Sequence, residues 1–338
     1  MIPARLLGTI AILALTGTAA AAQTLDEVRA RGALHCGVSS GLAGFSAPDA
    51  SGVWQGFDVA LCRAVAAAVL GDPGAVRFVP TTLQNRFDTL ASGEADLLAR
   101  HATWSLTRDI DDAITLAAVT YHDAQGFMVP RAAEVGTAAE LDNATICVLD
   151  GSSAAANLAD QFRLKEKTFQ PRPAATIAEG QRSYLAGDCD AIAADISTLA
   201  ALRASLAEPE AHVLLPETFA KGPMGPMLRS DDPAWTAVVR WTLHALIAAE
   251  EYGVTSANIA ELAQGTRNPE VNRLLGSEGE LGAALGLDPD WAVRAISAGG
   301  NYGEIYAANI GEQTPIGLPR GLNALWTQGG LMYAPPFR

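Results

Sequence analysis

Residues 84–108 run Gln-Asn-Arg-Phe-Asp-Thr-Leu-Ala-Ser-Gly-Glu-Ala-Asp-Leu-Leu-Ala-Arg-His-Ala-Thr-Trp-Ser-Leu-Thr-Arg. Phe87 and Leu90, three apart, predict a short amphipathic helix, and Gly93 supplies a left-handed stop. Asp96-Leu97-Leu98-Ala99 then predicts a short buried strand. The polar loop leaving it carries Arg100, His101, Thr103, Ser105 and Thr107, and Arg108 closes it. In an α/β sheet, a loop at the carboxyl end of a strand is where ligands bind. Arg86, Arg100 and Arg108 beside hydroxyl-rich backbone suit a small anion or carboxylate, because guanidinium presents a planar fork of donors. Any one of these arginines taken alone is better read as a solvated surface cation.

Upstream, Thr24-Leu25-Asp26-Glu27 forms a capping box and Gly32 a helix stop. Ala33 to Val38 predicts a strand, followed by a turn from Ser39 to Asp49 that contains Gly44-Phe45-Ser46. Gly56-Phe57-Asp58 opens a helix with Val59, Cys62, Val65 and Val69 on one face, and Val76 to Val79 predicts the next strand. This alternation predicts an α/β lobe with a largely parallel sheet. Downstream of a strand at Gly126-Phe127-Met128-Val129 the pattern repeats. Thr145 to Leu149 is a strand, Gly151-Ser152-Ser153 opens a helix, and Asp190 to Ala194 is a strand with Asp195 at its carboxyl end and Ser197 just beyond. Gly222-Pro223-Met224-Gly225-Pro226 precedes a returning strand at Met227-Leu228. Crossings near 126–130 and 222–228 imply two lobes on a hinge. The expected division is 23–128 plus 227–268 for lobe 1 and 129–226 for lobe 2, with a helical extension over 269–338.

Residues 1–22 predict a secretory signal: Arg5, the apolar run Leu6 to Leu15, and Ala20-Ala21-Ala22 as a small-residue cleavage site. No later apolar run reaches the ~18–20 residues of a membrane span, so the exported chain is expected to lack one. Of 23 basic and 37 acidic side chains, only Arg5 falls in the signal, which leaves 22 − 37 = −15. That balance argues against nucleic acid or an anionic membrane as partner. The four cysteines, Cys36, Cys62, Cys147 and Cys189, suit disulfides in an oxidising compartment. Three pairings are open; Cys36–Cys62 with Cys147–Cys189 is preferred because it places one bridge in each lobe. Their spacing fits no zinc or redox motif, so neither a metal nor a cofactor is expected.

On this plan a ligand lies between the lobes and favours their closure. Arg108 can clamp a carboxylate with donors from Thr103, Ser153 and the backbone amides of Ser152 and Ser153 at a helix start. Asp195 can receive an ammonium. A cationic clamp facing an anionic acceptor fits a free α-amino acid.

The chain resembles, over essentially its whole mature length, periplasmic solute-binding proteins of polar amino acid ABC transporters, and among them the general L-amino acid-binding subfamily. The resemblance rests on Gly56-Phe57-Asp58-Val59 with Cys62-Arg63-Ala64, Gln84-Asn85-Arg86-Phe87, Trp104 to Arg108, Gln125-Gly126-Phe127, Gly299 to Glu304 and Arg320 to Trp326. It implies a two-lobed type II (Venus-flytrap) α/β fold with a helical C-terminal extension, and a monomer that delivers amino acids to an inner-membrane ABC permease. By motif position it implies that Arg108, Thr103 and Ser153 hold the α-carboxylate and Asp195 the ammonium. Arg86 and Arg100 would meet the ligand side chain, with Phe45 and Ser46 lining the cleft. The family run Ser-Arg-Asn-Thr-Thr-Trp is here Ala99-Arg100-His101-Ala102-Thr103-Trp104, so His101 stands where a small polar residue is usual. Ile196 stands where relatives tend to have arginine. The alternative is an enzyme on the same scaffold, a cyclohexadienyl dehydratase-like hydro-lyase. That would need a general acid in the cleft, for which Asp195 and His101 are the candidates.

Overall fold

The apolar run from Leu34 to Ser39, buried at five of its six positions, forms a central strand with a neighbour on each edge. The structure, a computed structural model, describes residues 24–111 and 113–338; the signal expected over 1–22 lies outside them. In chain order the first lobe holds α1 (Thr24–Arg31), β1 (Leu34–Ser39), a small hairpin of β2 (Ala47–Pro48) and β3 (Trp54–Gln55), and α2 (Phe57–Leu70). It continues with β4 (Val76–Thr81), α3 (Arg86–Ala91), β5 (Leu97–Leu98), α4 (Leu106–Asp111) and β6 (Ile114–Leu116). The second lobe runs from β7 (Tyr121–Pro130) through β8 (Thr145–Leu149), α5 (Ser153–Leu164), β9 (Gln170–Ala174) and α6 (Ile177–Leu185). It then adds β10 (Ala191–Asp195), α7 (Ile196–Ala204), β11 (His212–Leu214) and β12 (Ala220–Met224). The chain returns to the first lobe with β13 (Met227–Arg229), α8 (Pro233–Glu251) and α9 (Ile259–Leu262).

The first sheet has the order β4-β1-β5-β13-β6, with β1 parallel to β4 and β5 and the returning β13 antiparallel to β5 and β6. The second has the order β11-β7-β10-β8-β9, and β12 shares an edge of β7 with β11. The two-lobed α/β architecture is as expected. The crossings differ. β7 begins at Tyr121 and pairs throughout with second-sheet strands, so the chain crosses at 117–120 and returns at 225–226, not at 126–130. Polar His122, Asp123 and Gln125 interrupt the hydrophobic pattern of β7 and hide its first half from a reading of periodicity.

The two crossings lie against each other. Ala117 N donates to Pro226 O and Thr120 N to Met224 O, each at 2.9 Å. A Cβ on Gly225 would stand 2.0 Å from Ala118 O, so only glycine permits this approach. At the start of α2, Gly56 has φ 126° and its Cβ would meet Phe45 O at 2.3 Å, which seats the helix directly on the 44–46 turn.

Residues 269–338 are not a separate body. Helices α10 (Pro269–Leu274) and α11 (Leu281–Ala284) lead to α12 (Trp291–Ser297) and α13 (Tyr302–Asn309). Trp291, Ala292, Ala295 and Ile296 of α12 and Tyr302, Ile305 and Tyr306 of α13 are buried in the same core as α2 and α8. Full burial of one such large side chain contributes about 1.5–3 kcal/mol. Beyond α13, Arg320 pairs with Glu250 at 3.0 Å and lies over the rings of Tyr302 and Tyr306. Asn323 then brackets His122, accepting from its N–H at 2.6 Å and donating to its carbonyl at 3.1 Å, where β10 no longer reaches β7. The disulfides are Cys36–Cys62 and Cys147–Cys189, with Cα–Cα distances of 6.3 and 5.6 Å, one in each lobe as preferred.

Tyr302 is buried, and its hydroxyl donates to Thr120 O at 2.8 Å in the first crossing. Tyr302→Phe leaves that buried carbonyl unpaired, and we expect it to lower unfolding stability by about 1–3 kcal/mol in denaturant titrations. A wild-type midpoint would mean that this bond does not brace the crossing.

Candidate functional site

The loop after β5 meets the second lobe directly. Thr103 Oγ1 lies 3.3 Å from Ser153 Oγ, and Trp104 N donates to Pro223 O at 2.8 Å. Between the lobes is a cavity of about 320 Å³ whose wall includes Ser40, Arg100 and His101 from lobe 1 and Ser152, Asp195 and Thr198 from lobe 2. That volume lies within the ≈ 300–1,000 Å³ range of small-molecule sites.

Arg100 is 8% exposed. Its Nε donates to Thr81 Oγ1 at 3.1 Å, and among the described residues no carboxylate stands within ion-pair distance of it. Burial pulls its pKa down to about 10, while the charge of Asp58 opposes that shift. Arg108 sits on α4, where Nη1 donates to Thr103 O and the guanidinium lies 5.6 Å above the ring of Phe87. Arg86 is buried and covers the same ring at 4.3 Å, and neither Arg86 nor Arg108, Thr103 or Ser153 takes a place in the cavity wall. Phe87 thus ties two of the three arginines together, while the third faces the cavity.

On lobe 2, Ser152 caps α5 by accepting from Ala155 N at 3.2 Å, and donates its own hydroxyl to Leu149 O at 2.7 Å. Ser153 Oγ accepts from Gln125 Nε2 at 2.9 Å. The same amide nitrogen donates to Asp195 Oδ1 at 3.0 Å, and Asn157 Nδ2 donates to Gln125 Oε1 at 2.8 Å. Gln125, fully buried, therefore orients the two polar groups that sequence reasoning had paired as carboxylate and ammonium receivers. Burial first, and the nearby charge of Asp123 second, push the Asp195 carboxyl up to about 6. Asp58 at the start of α2 is also pushed up to about 6 by burial, opposed by His101 and Arg100.

Phe45 and Ser46 lie behind the site and do not line it. Phe45 is fully buried with its ring 4.1 Å from that of His101, and Ser46 Oγ accepts from Ser39 N at 3.1 Å. The wall on that side is formed by Ser39 to Ala43, because the turn folds its aromatic residue inward against Phe57 and Tyr121. His101 extends across the cleft to Ser197 at 2.5 Å and toward Asp123 at 3.5 Å. Sequence reasoning gave no site role to Gln125, Asp123 or Ser197. The available signal was three polar residues in a strand otherwise apolar and the serine two positions beyond Asp195. Among the described residues, no group of three or more His, Cys, Asp or Glu is placed to hold a metal ion, and no helix is long and apolar enough to cross a membrane.

The family model for "Bacterial extracellular solute-binding proteins, family 3" matches residues 34–258, about two thirds of the chain. The chain belongs to that family. It is 56% identical to the glutamate/glutamine/aspartate/asparagine-binding protein BztA of Rhodobacter capsulatus, covering 98% of both chains. It is 47% identical to the general L-amino acid-binding periplasmic protein AapJ of Rhizobium johnstonii, covering 97% of this chain and 96% of that one. Among solved structures, a periplasmic binding protein from Brucella ovis with glutathione bound is 45% identical, with a TM-score of 0.92 over 94% of this chain and all of that one. The family match stops short of residues 269–338, whereas these three relatives span nearly the whole solute-binding protein, extension included.

Gln125→Leu removes the amide that favours ionised Asp195. We expect the carboxyl of Asp195 to titrate above its present value of about 6 in a ¹³C-NMR pH series. An unmoved midpoint would show that Gln125 does not set the state of Asp195.

Proposed function

We propose that this solute-binding protein captures polar L-amino acids in the periplasm, with glutamate, glutamine, aspartate and asparagine foremost, and delivers them to an inner-membrane ABC permease. The observation that carries the reading is the pair of opposed charges on the cavity wall. Arg100 on lobe 1 is buried without a carboxylate partner among the described residues, and Asp195 on lobe 2 is half-buried and held by Gln125. A buried charge without a partner is costly, so a ligand that brings an anion to one wall and a cation to the other offsets both.

The assignment within the site is part of the proposal. Arg108, Thr103, Ser153 and the amides at Ser152 and Ser153 hold the α-carboxylate beside the cavity, where the loop after β5 meets the start of α5 next to the wall residue Ser152, since a helix start and a guanidinium together favour that anion. Asp195 holds the ammonium. Arg100 meets the side-chain carboxylate or amide, and Arg86 supports Arg108 through Phe87 instead of touching ligand. The names of the two relatives at 56% and 47% identity, both amino acid-binding proteins, support this ligand class. The hydro-lyase alternative has less support: the relatives reported above carry binding-protein names, and the amino acid reading already employs Asp195.

Calorimetry on the ligand-stripped protein, with the twenty L-amino acids and glutathione as titrants, tests the reading. Arg108→Ala should abolish binding of every amino acid while the fold is retained. Undiminished affinity in that variant overturns the carboxylate clamp. A second variant separates recognition of backbone from side chain: Arg100→Met should weaken glutamate and aspartate by about 10–100-fold, the scale of one hydrogen bond to a charged group. An apolar amino acid should change far less. Equal losses for all ligands would remove Arg100 from specificity.

A further inference from the structure

A buried chain of polar groups joins the two lobes at His101. Its Nε2 lies 2.5 Å from Ser197 Oγ, at the start of α7, and 3.5 Å from Asp123 Oδ2 on β7. Ser197 donates its hydroxyl proton to Asp123, and its backbone N–H points at the same carboxylate oxygen at 3.3 Å. With that one proton committed, the hydroxyl can only accept from the imidazole, which assigns a proton to Nε2. The side chains of His101 and Asp123 are 4% and 3% exposed, and Ser197 is fully buried. The backbone of His101 has φ 54°, an uncommon conformation for a residue other than glycine, and the ring is seated against Phe45. Such a conformation persists where the surroundings over-determine it.

Resting on the amino acid-binding reading, we propose that His101 is a positioning residue for capture: with Ser197 and Asp123 it forms a latch that holds the lobes closed without choosing the ligand. It links the loop that follows β5 to the helix that follows β10, so the bond exists only when the two lobes are together. His101 is part of the cavity wall too, but its Nε2 is engaged by Ser197 and Asp123, so ligand specificity stays with Arg100 and Asp195 on the same wall. The latch adds a constant favourable contribution to closure, and every ligand bound in the closed form benefits equally.

The groups packed around the imidazole give the latch a pH signature. Asp58 faces it from α2, Asp123 and Tyr121 from β7, Asp195 from the end of β10, and Arg100 from its own loop. Burial alone would push the imidazole down, but the bond to Asp123 and the charges of Asp58 and Asp195 leave it raised. Opening separates His101 from Asp123 and Asp195 and returns it toward its ordinary value. The charged latch is therefore fully formed below the ordinary imidazole range and weakens as pH rises through the elevated closed-state value. Below about 6, where Asp58 and Asp195 take up protons, its partners lose charge.

Closure can be read without any ligand, by small-angle X-ray scattering of the stripped protein, so the latch is tested apart from the amino acid reading. We expect Ser197→Ala and His101→Ala each to enlarge the radius of gyration at pH 6.5 and to weaken all amino acid ligands by a common factor of about 10. The double variant should lose no more than either single one, because both break the same chain. His101→Asn keeps a donor but cannot titrate. It should recover part of the closure and remove the opening that wild type undergoes as pH rises above neutrality. Unchanged scattering in Ser197→Ala, strictly additive losses in the double variant, or a reordering of ligand preference in His101→Ala would each overturn the latch. Far-ultraviolet circular dichroism and the unfolding midpoint establish that the variants are folded. Closure that responds as expected in a protein that binds no amino acid would retain the latch and reject the ligand class.

Discussion

The constraint on which this structure depends is the contact between its two crossings. Ala117 and Thr120 bond to Pro226 and Met224, and Gly225 admits the carbonyl of Ala118 where any side chain would collide. The lobes are therefore joined at a narrow place whose backbone groups are already paired. Motion there need not break either sheet. A rotation at 117–120 and 225–226 moves β5 and its loop relative to β10 and α7, the elements that carry Arg100, His101 and Asp195. Both sheets then act as rigid mounts for a few polar side chains.

The chemistry of the cleft follows from placing charges on those mounts. Asp58, Asp123 and Asp195 lie with His101 and Arg100 in a region largely shut off from water. In such surroundings charges interact more strongly than in water, and an unmatched one is costly. Gln125 settles part of this by donating to Asp195 while its carbonyl is occupied by Asn157. His101 settles another part through Ser197 and Asp123. What is left over is a guanidinium and a carboxylate on opposite walls of a cavity, the pair on which the proposed amino acid reading rests.

The sequence carried the architecture because hydrophobic period and glycine stops act locally. The strands read at Ala33 to Val38, Thr145 to Leu149 and Asp190 to Ala194 form at Leu34–Ser39, Thr145–Leu149 and Ala191–Asp195, and the helix opened by Gly151-Ser152-Ser153 is capped by the Ser152 hydroxyl as that residue type favours. The first half of β7 was not legible, since its polar residues serve the site instead of a core. For the same reason Gln125, Asp123 and Ser197 went unassigned: their importance lies in partners 28 to 96 positions away in the chain. Phe45 and Ser46 illustrate the opposite error. The resemblance implied that they line the cleft, but the turn directs them inward, where Phe45 supports the ring of His101.

The C-terminal extension gains meaning from where it is attached. Its helices share the core of lobe 1, yet Tyr302 bonds to Thr120 and Asn323 to both backbone groups of His122. Those two positions flank Tyr121, the first residue of the second sheet, and Asp123 of the latch follows directly. The extension therefore reaches past the crossing and holds the base of β7 against lobe 1, with Arg320 fixed by Glu250 and by the tyrosine rings at its root. A strand anchored at its base can turn about that point but cannot slide. A rotation about this base keeps the bonds of Tyr302 and Asn323, whereas a slide would break them, so rotation is the movement consistent with the proposed contact of Asp123 and Ser197 with His101. In this way a segment that contributes nothing to the cavity wall can govern how reproducibly the wall is assembled.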